Sequence, residues 1–229
     1  MNPKRHTVWP RAAIVVALLV PAPIFAQNAA GNAASPSLVA WEAFKKANES
    51  IKDYTETIAA HEVKDGKTED RVYHFSFQKP TNVRSEIVSG PGSGGAAVWH
   101  GGDHVKGHQG GFFRGIKLSI PINDARATDL RGKTIDASFY PTMIADFETN
   151  GKLSEVAGEP VNGTPTDDVT MVPGDPAKVR NLTKEVLVIS RATHIPVEHL
   201  GYENAQLVED EHFTDIKLNP GLPESTFEM

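Results

Sequence analysis

Residues 71–78, RVYHFSFQ, set Tyr73, Phe75 and Phe77 at alternate positions, with Val72, His74 and Ser76 between them. Side chains of a β-strand point to opposite faces in turn, so this stretch predicts a strand with one aromatic face. Similar segments recur along the chain, and most are bounded by turn-forming residues. Tyr54–Val63 is rich in β-formers and runs into Asp65-Gly66, a strong hairpin signal. Lys79-Pro80-Thr81-Asn82 separates 71–78 from Val83–Ser89, and Gly90–Gly95 follows. Ala96–His100 and His104–Gly107 flank Gly101-Gly102-Asp103. Further strands are predicted over 153–158, 166–172, 184–191, 195–203 and 205–217, with a turn at Asn162-Gly163. About ten short strands joined in this way predict an antiparallel meander.

Two helical patterns interrupt the strands. Leu38, Trp41, Phe44, Ala47 and Ile51 recur at three- and four-residue spacing, which predicts a helix over about 37–52 with Ser37 as its cap. Ile135–Phe147 carries Phe139, Met143, Ile144 and Phe147 in an amphipathic pattern interrupted by Pro141. A sheet of ten strands must curl or leave one face bare. The fold class is therefore mainly β with a few helices (α+β). A single curved antiparallel sheet forms an incomplete β-barrel, covered by the N-terminal helix and short mid-chain helices. Such a half-barrel leaves an apolar hollow suited to a hydrophobic ligand.

The N-terminus carries an export signal. Lys4, Arg5 and Arg11 precede the apolar run Ala12–Val20, Pro21 and Pro23 break it, and Ala26 offers a cleavage position. The run is too short to span a bilayer, which takes about 20 residues. The expected organisation is a signal peptide over 1–26, a flexible lead-in over 27–36, and one domain over 37–229, delivered to the periplasm. Cysteine is absent, which excludes disulfides, thiolate metal sites and lipid attachment at a new N-terminal cysteine. Cleavage removes three of the 23 basic residues and leaves 20 against 29 acidic ones, a net charge of −9. Such a chain is a poor partner for nucleic acid, and it is not expected to be membrane-embedded.

Two stretches resemble the periplasmic outer-membrane lipoprotein carrier and sorting superfamily, the lipoprotein localisation factor fold. One is 72–102, with VYHFSFQ, then Lys79-Pro80-Thr81-Asn82, VRSEIVS and AVWHGGDHV. The other is 213–229, FTDIKLNPGLPESTFEM, with its Asn, turn and closing Phe. EVLVISRATHIPVEHLGYE between them is similar to the family's long hairpin. The resemblance implies a carrier or sensor rather than an enzyme. It implies lipid or lipoprotein acyl chains as ligand, an inner-membrane transporter or outer-membrane receptor as partner, and no cofactor. A sensor or protein-interaction domain of the same fold is the alternative. In that family the basic residue before Pro faces the cavity and holds a helical lid; here the matching residue is Lys79, which lacks the arginine fork.

The candidate cavity residues are Tyr73, Phe75, Phe77, Lys79, Trp99, Phe139, Met143 and Phe147, with Phe112 and Phe113 as further aromatics; each aromatic is equally a candidate for plain core. No motif for catalysis assembles: G-x-S-x-G is absent, and Gly90–Gly95 lacks the ending of a phosphate loop. Asp167-Asp168 and Glu209-Asp210-Glu211 are read as solvated surface. His100, His104 and His108 lie four apart, but the glycines around them argue against a helix, so they are read as exposed hairpin histidines with no metal assigned.

Overall fold

The computed structural model describes residues 37–229. The expected export signal over 1–26 and the expected lead-in over 27–36 lie outside the described residues. Helix α1 (Val39–Ser50) precedes six strands: β1 (Asp53–Lys64), β2 (Lys67–Gln78), β3 (Asn82–Ser89), β4 (Ala96–Trp99), β5 (His104–His108) and β6 (Leu118–Pro121). A long connection over 122–134 and a 3-10 turn, Ile135–Ser138, lead to α2 (Tyr140–Asn150). Five strands follow: β7 (Gly151–Ala157), β8 (Thr166–Pro173), β9 (Lys184–Ser190), β10 (Pro196–Glu203) and β11 (Gln206–Leu218).

The strands form one antiparallel sheet in the order β6-β5-β4-β3-β2-β1-β11-β10-β9-β8-β7. Every neighbouring pair but one is adjacent in the chain. The exception is β1 with β11, which joins the first and last strands at the centre of the sheet. The sheet is open, with β6 and β7 as its edges, as the half-barrel reading expects. Eleven strands replace the expected ten because the short β6 was not anticipated. Asp65-Gly66 and Asn162-Gly163 both form tight turns with two consecutive residues at positive φ.

Pro141 sits in the first turn of α2, where its missing N–H breaks no hydrogen bond. The interruption expected at Pro141 is thus the start of a helix, and Ile135–Ser138 stands apart as its own turn. Ser37 is not the cap of α1. The cap position is Leu38, which offers no side-chain bond. Instead the Glu155 carboxylate of β7 accepts the Ala40 N–H at 2.9 Å and the Trp41 N–H at 3.2 Å.

Inward-facing side chains of β1 and β2 meet the two helices in an aromatic core. Tyr54 stacks on Tyr140 at 4.2 Å between centroids, and Phe77 on Phe139 at 4.9 Å. Trp41 of α1 stacks on Phe147 of α2 at 5.6 Å, and Phe44 meets Tyr140 edge-on. Such pairs each add about 0.5–1.5 kcal/mol beyond the area they bury. Phe227, in the C-terminal 3-10 turn, is buried, and Arg84 of β3 donates to the Glu228 carbonyl beside it.

Candidate ligand-binding site

The sheet's inner face changes character along its strands. Next to the helices the row Tyr54–Phe77 is aromatic, and Glu56–Phe75 and Ile58–Tyr73 follow. Two residues further along β1, Ala60 pairs with Arg71 on one side and Glu211 on the other, and Glu211 pairs with His199. The next row runs Glu69, Glu62, Glu209, Gly201 and Glu185 across five strands. One sheet face thus runs from apolar to heavily charged.

The charged end is covered by the 122–134 connection. Arg131 donates to Glu209 at 3.1 Å, to the Val63 carbonyl at 2.6 Å and to the Arg180 carbonyl at 3.0 Å. Lys133 donates to both oxygens of Glu211 at 2.8 and 2.6 Å. Arg180 bridges Glu209 and Glu185. His199 lies between Glu211 and Glu185, with ring nitrogens 3.0 and 2.9 Å from their oxygens. Gly201 makes room for this packing: a Cβ there would lie 3.0 Å from the Glu209 Cβ and 3.1 Å from Leu182.

Burial alone would favour a neutral His199 ring, but its bonds to Glu185 and Glu211 outweigh that and raise its pKa to about 9. Burial also opposes ionisation of Glu211, yet Lys133 and His199 hold its carboxyl well below the usual range. Glu62 behaves differently. Burial, then the neighbouring Asp129 carboxylate, pushes it up to about 9. Glu62 therefore holds a proton at neutral pH, shares a hydrogen bond with Asp129 and accepts the Leu130 N–H at 3.1 Å.

Between the charged cluster and the aromatic core lies a hollow of about 600 Å3, partly open to solvent. Its floor is the inner face of β1 to β4, with Ile58, Tyr73, Phe75, Ile87 and Ala97. Its roof is the 125–129 part of the connection with Ile135, and its rim is made of the 91–95 and 108–111 loops. These two loops touch backbone to backbone: a Cβ on Gly110 would run into the Ser93 carbonyl oxygen. Arg71, Glu62, Asp129, Lys133 and Glu211 line the far end.

Of the eight candidate residues, Tyr73 and Phe75 line this hollow. Phe77, Trp99, Phe139, Met143 and Phe147 are buried in the core cluster, where their side chains pack on the protein itself. The Lys79 ammonium caps the other end of α1, donating to the Asn48 carbonyl at 2.5 Å and the Glu49 carbonyl at 3.2 Å. Phe112 is exposed at the 111–115 turn.

His100, His104 and His108 turn to separate neighbours: Asn82, Asp103 and the Gln109 carbonyl. Among the described residues, the grouping with metal-ligand spacing is Glu185, His199 and Glu209. The Arg180 guanidinium already occupies the space between its two carboxylates. The reading of Glu209 and Glu211 as solvated surface is corrected here, since β11 is a central strand and both side chains face inward and are buried. The signal was their phase: both stand in alternation with Phe213, the inward residue two places on. Asp167 is partly exposed and takes a two-pronged bond from Arg191 at 2.6 and 2.9 Å.

The fold and site define an open antiparallel half-barrel whose concave face carries helices, a charged cluster and a hollow. No protein-family model and no curated protein matches the chain. Solved structures do. One is an uncharacterized conserved protein from Thermus thermophilus, 10% identical with a TM-score of 0.53, covering 83% of this chain and 91% of that one. Another is a LolA superfamily protein from Nitrosomonas europaea, 13% identical, TM-score 0.41, covering 84% and 99%. A third is the lipoprotein LppX from Mycobacterium tuberculosis, 10% identical, TM-score 0.45, covering 80% and 95%. At these identities the likeness is one of fold. Among the described residues no helix is long and apolar enough to cross a membrane.

Proposed function

We propose that this chain is an exported periplasmic binding or carrier protein. Its domain over 37–229 holds a lipid, an acyl chain or the acyl chains of a lipoprotein in the hollow, in lipoprotein sorting or envelope lipid trafficking. The observation that carries this reading is the hollow itself, about 600 Å3 with Ile58, Tyr73, Phe75, Ile87, Ala97 and Ile135 in its wall. Protein interiors leave few voids larger than a water molecule, whereas ligand sites commonly run to several hundred Å3. Burial of a ligand's apolar surface supplies roughly 25 cal/mol per Å2. The signal over residues 1–26 supports the periplasm as the compartment, and a transporter or receptor in either membrane is the expected partner. The reading is not enzymatic: His199 and the carboxylates around it are engaged with one another and with Arg131, Lys133 and Arg180.

One observation favours a second reading, an envelope sensor or protein-interaction domain without lipid transfer. The helix-covered half of the concave face is filled by the protein's own rings, such as Tyr54 on Tyr140. Native mass spectrometry of the mature protein, purified from periplasm without detergent, separates the two. The carrier reading expects a stoichiometric lipid or acylated peptide. A bare mass, together with no uptake of a fluorescent hydrophobic probe, would move the assignment to the second reading.

A further inference from the structure

The hollow is not uniformly apolar, and its one cation on the sheet floor lacks a full set of partners. Arg71 of β2 lines the hollow four residues from Phe75, about 13 Å along the strand. One of its terminal nitrogens pairs with Glu69 at 2.6 Å, and the other makes a long 3.4 Å contact to the Tyr73 hydroxyl. Its Nε is buried and has no hydrogen-bond partner. An unmet buried donor is costly, more so on a charged group, so the position calls for an acceptor. Glu69 neutralises the far side of the guanidinium but does not meet Nε, and its own Oε2 likewise lacks a hydrogen bond. Glu62 shares its bond with Asp129 and takes the Leu130 N–H, and Glu211 is held by Lys133 and His199. The other cations in the wall are engaged: Lys133 with Glu211, and Arg126, on the roof above, with Asp124.

Resting on the reading of the hollow as a ligand site, we infer that its ligand is an amphiphile with an anionic head: the head sits against Arg71, and the tail runs along Tyr73 and Ile58 toward Phe75. A guanidinium presents a fork of donors that suits a carboxylate or a phosphate equally. The strand registry places the Ile58–Tyr73 row directly beside Arg71 on the tail side, so the cation stands at the end of an apolar stretch of floor.

The test is titration calorimetry of the mature protein with dodecanoate, dodecyl phosphate and dodecanol, three ligands with one tail. At least one of the anions should bind ten or more times as tightly as the alcohol, and the tighter anion names the head. Arg71→Gln should cut that preference below threefold, and Arg71→Lys should keep part of it. Equal binding of all three ligands by the unaltered protein overturns the inference and leaves the hydrophobic site standing. So does a preference that persists in a folded Arg71→Gln protein. Failure of all three to bind overturns the inference together with the reading on which it rests.

Discussion

Lys133 and Glu211 illustrate what a buried charge demands. Each is nearly sealed from solvent, and each is the other's ion-pair partner, with His199 also bonded to Glu211. Removing one partner of a buried pair strands the other and costs about 3–5 kcal/mol. Lys133→Met should therefore destabilise the protein by about 3 kcal/mol in urea unfolding. A loss below about 1 kcal/mol would mean that His199 alone satisfies Glu211.

The same cluster sets a pH dependence. Glu56, buried and bonded to the Tyr140 hydroxyl, has its pKa raised to about 8, chiefly by burial; Glu62 and His199 are each raised to about 9. Their ordinary values are 4.5 for the carboxyls and 6.5 for the imidazole. The folded protein keeps these protons where the unfolded chain has lost them. The stability they contribute is complete below the ordinary values and is lost as pH rises through the folded ones. Glu209 and Glu211 are lowered despite burial, by Arg180 and Lys133 foremost, so their contribution disappears as pH falls below 4.5. Maximal stability should lie near about pH 5, with each raised group weakening the fold by up to about 1.4 kcal/mol per pH unit above its ordinary value. Melting midpoints measured at pH 5, 7 and 9 should fall in that order; a flat or rising series would contradict the account.

At the scale of elements, α1 is held by residues far away in the chain. Glu155 accepts its first N–H groups and Lys79 covers its last carbonyls, each also favourable to the helix dipole. Glu155→Ala and Lys79→Met should each cost about 1 kcal/mol, and their sum should hold in the double variant to within about 0.5 kcal/mol. Strong non-additivity in denaturant titrations would show that the two ends do not act independently.

The strands were legible because period-two alternation and turn dipeptides are local. Tyr73, Phe75 and Phe77 do face inward as their spacing implies. What lay hidden was non-local. Ser37 looks like a cap because it precedes an apolar stripe, yet the cap comes from a strand more than a hundred residues on. Glu209-Asp210-Glu211 looks solvated because three acids in a row usually are. Only the pairing of β11 with β1, and the delivery of Arg131 and Lys133 from a connection with no periodicity, makes their burial tolerable. For the same reason five side chains that looked like cavity lining belong to the core: which of them find partners depends on where α2 packs.

At the scale of the molecule, an eleven-strand open sheet has more inner face than two short helices can cover. The helices take the aromatic end, the 122–134 connection is pinned by its cations to the charged end, and the hollow is what lies between. The central claim is that this space is a binding site rather than loose packing. Ala97, paired with Ser85 on the floor, offers the most direct test. Uptake of a fluorescent hydrophobic probe should saturate at one equivalent in the unaltered protein, and Ala97→Trp, which fills the hollow, should weaken it at least tenfold with the fold intact. No uptake by the unaltered protein, or equal uptake by a folded Ala97→Trp variant, would contradict the account.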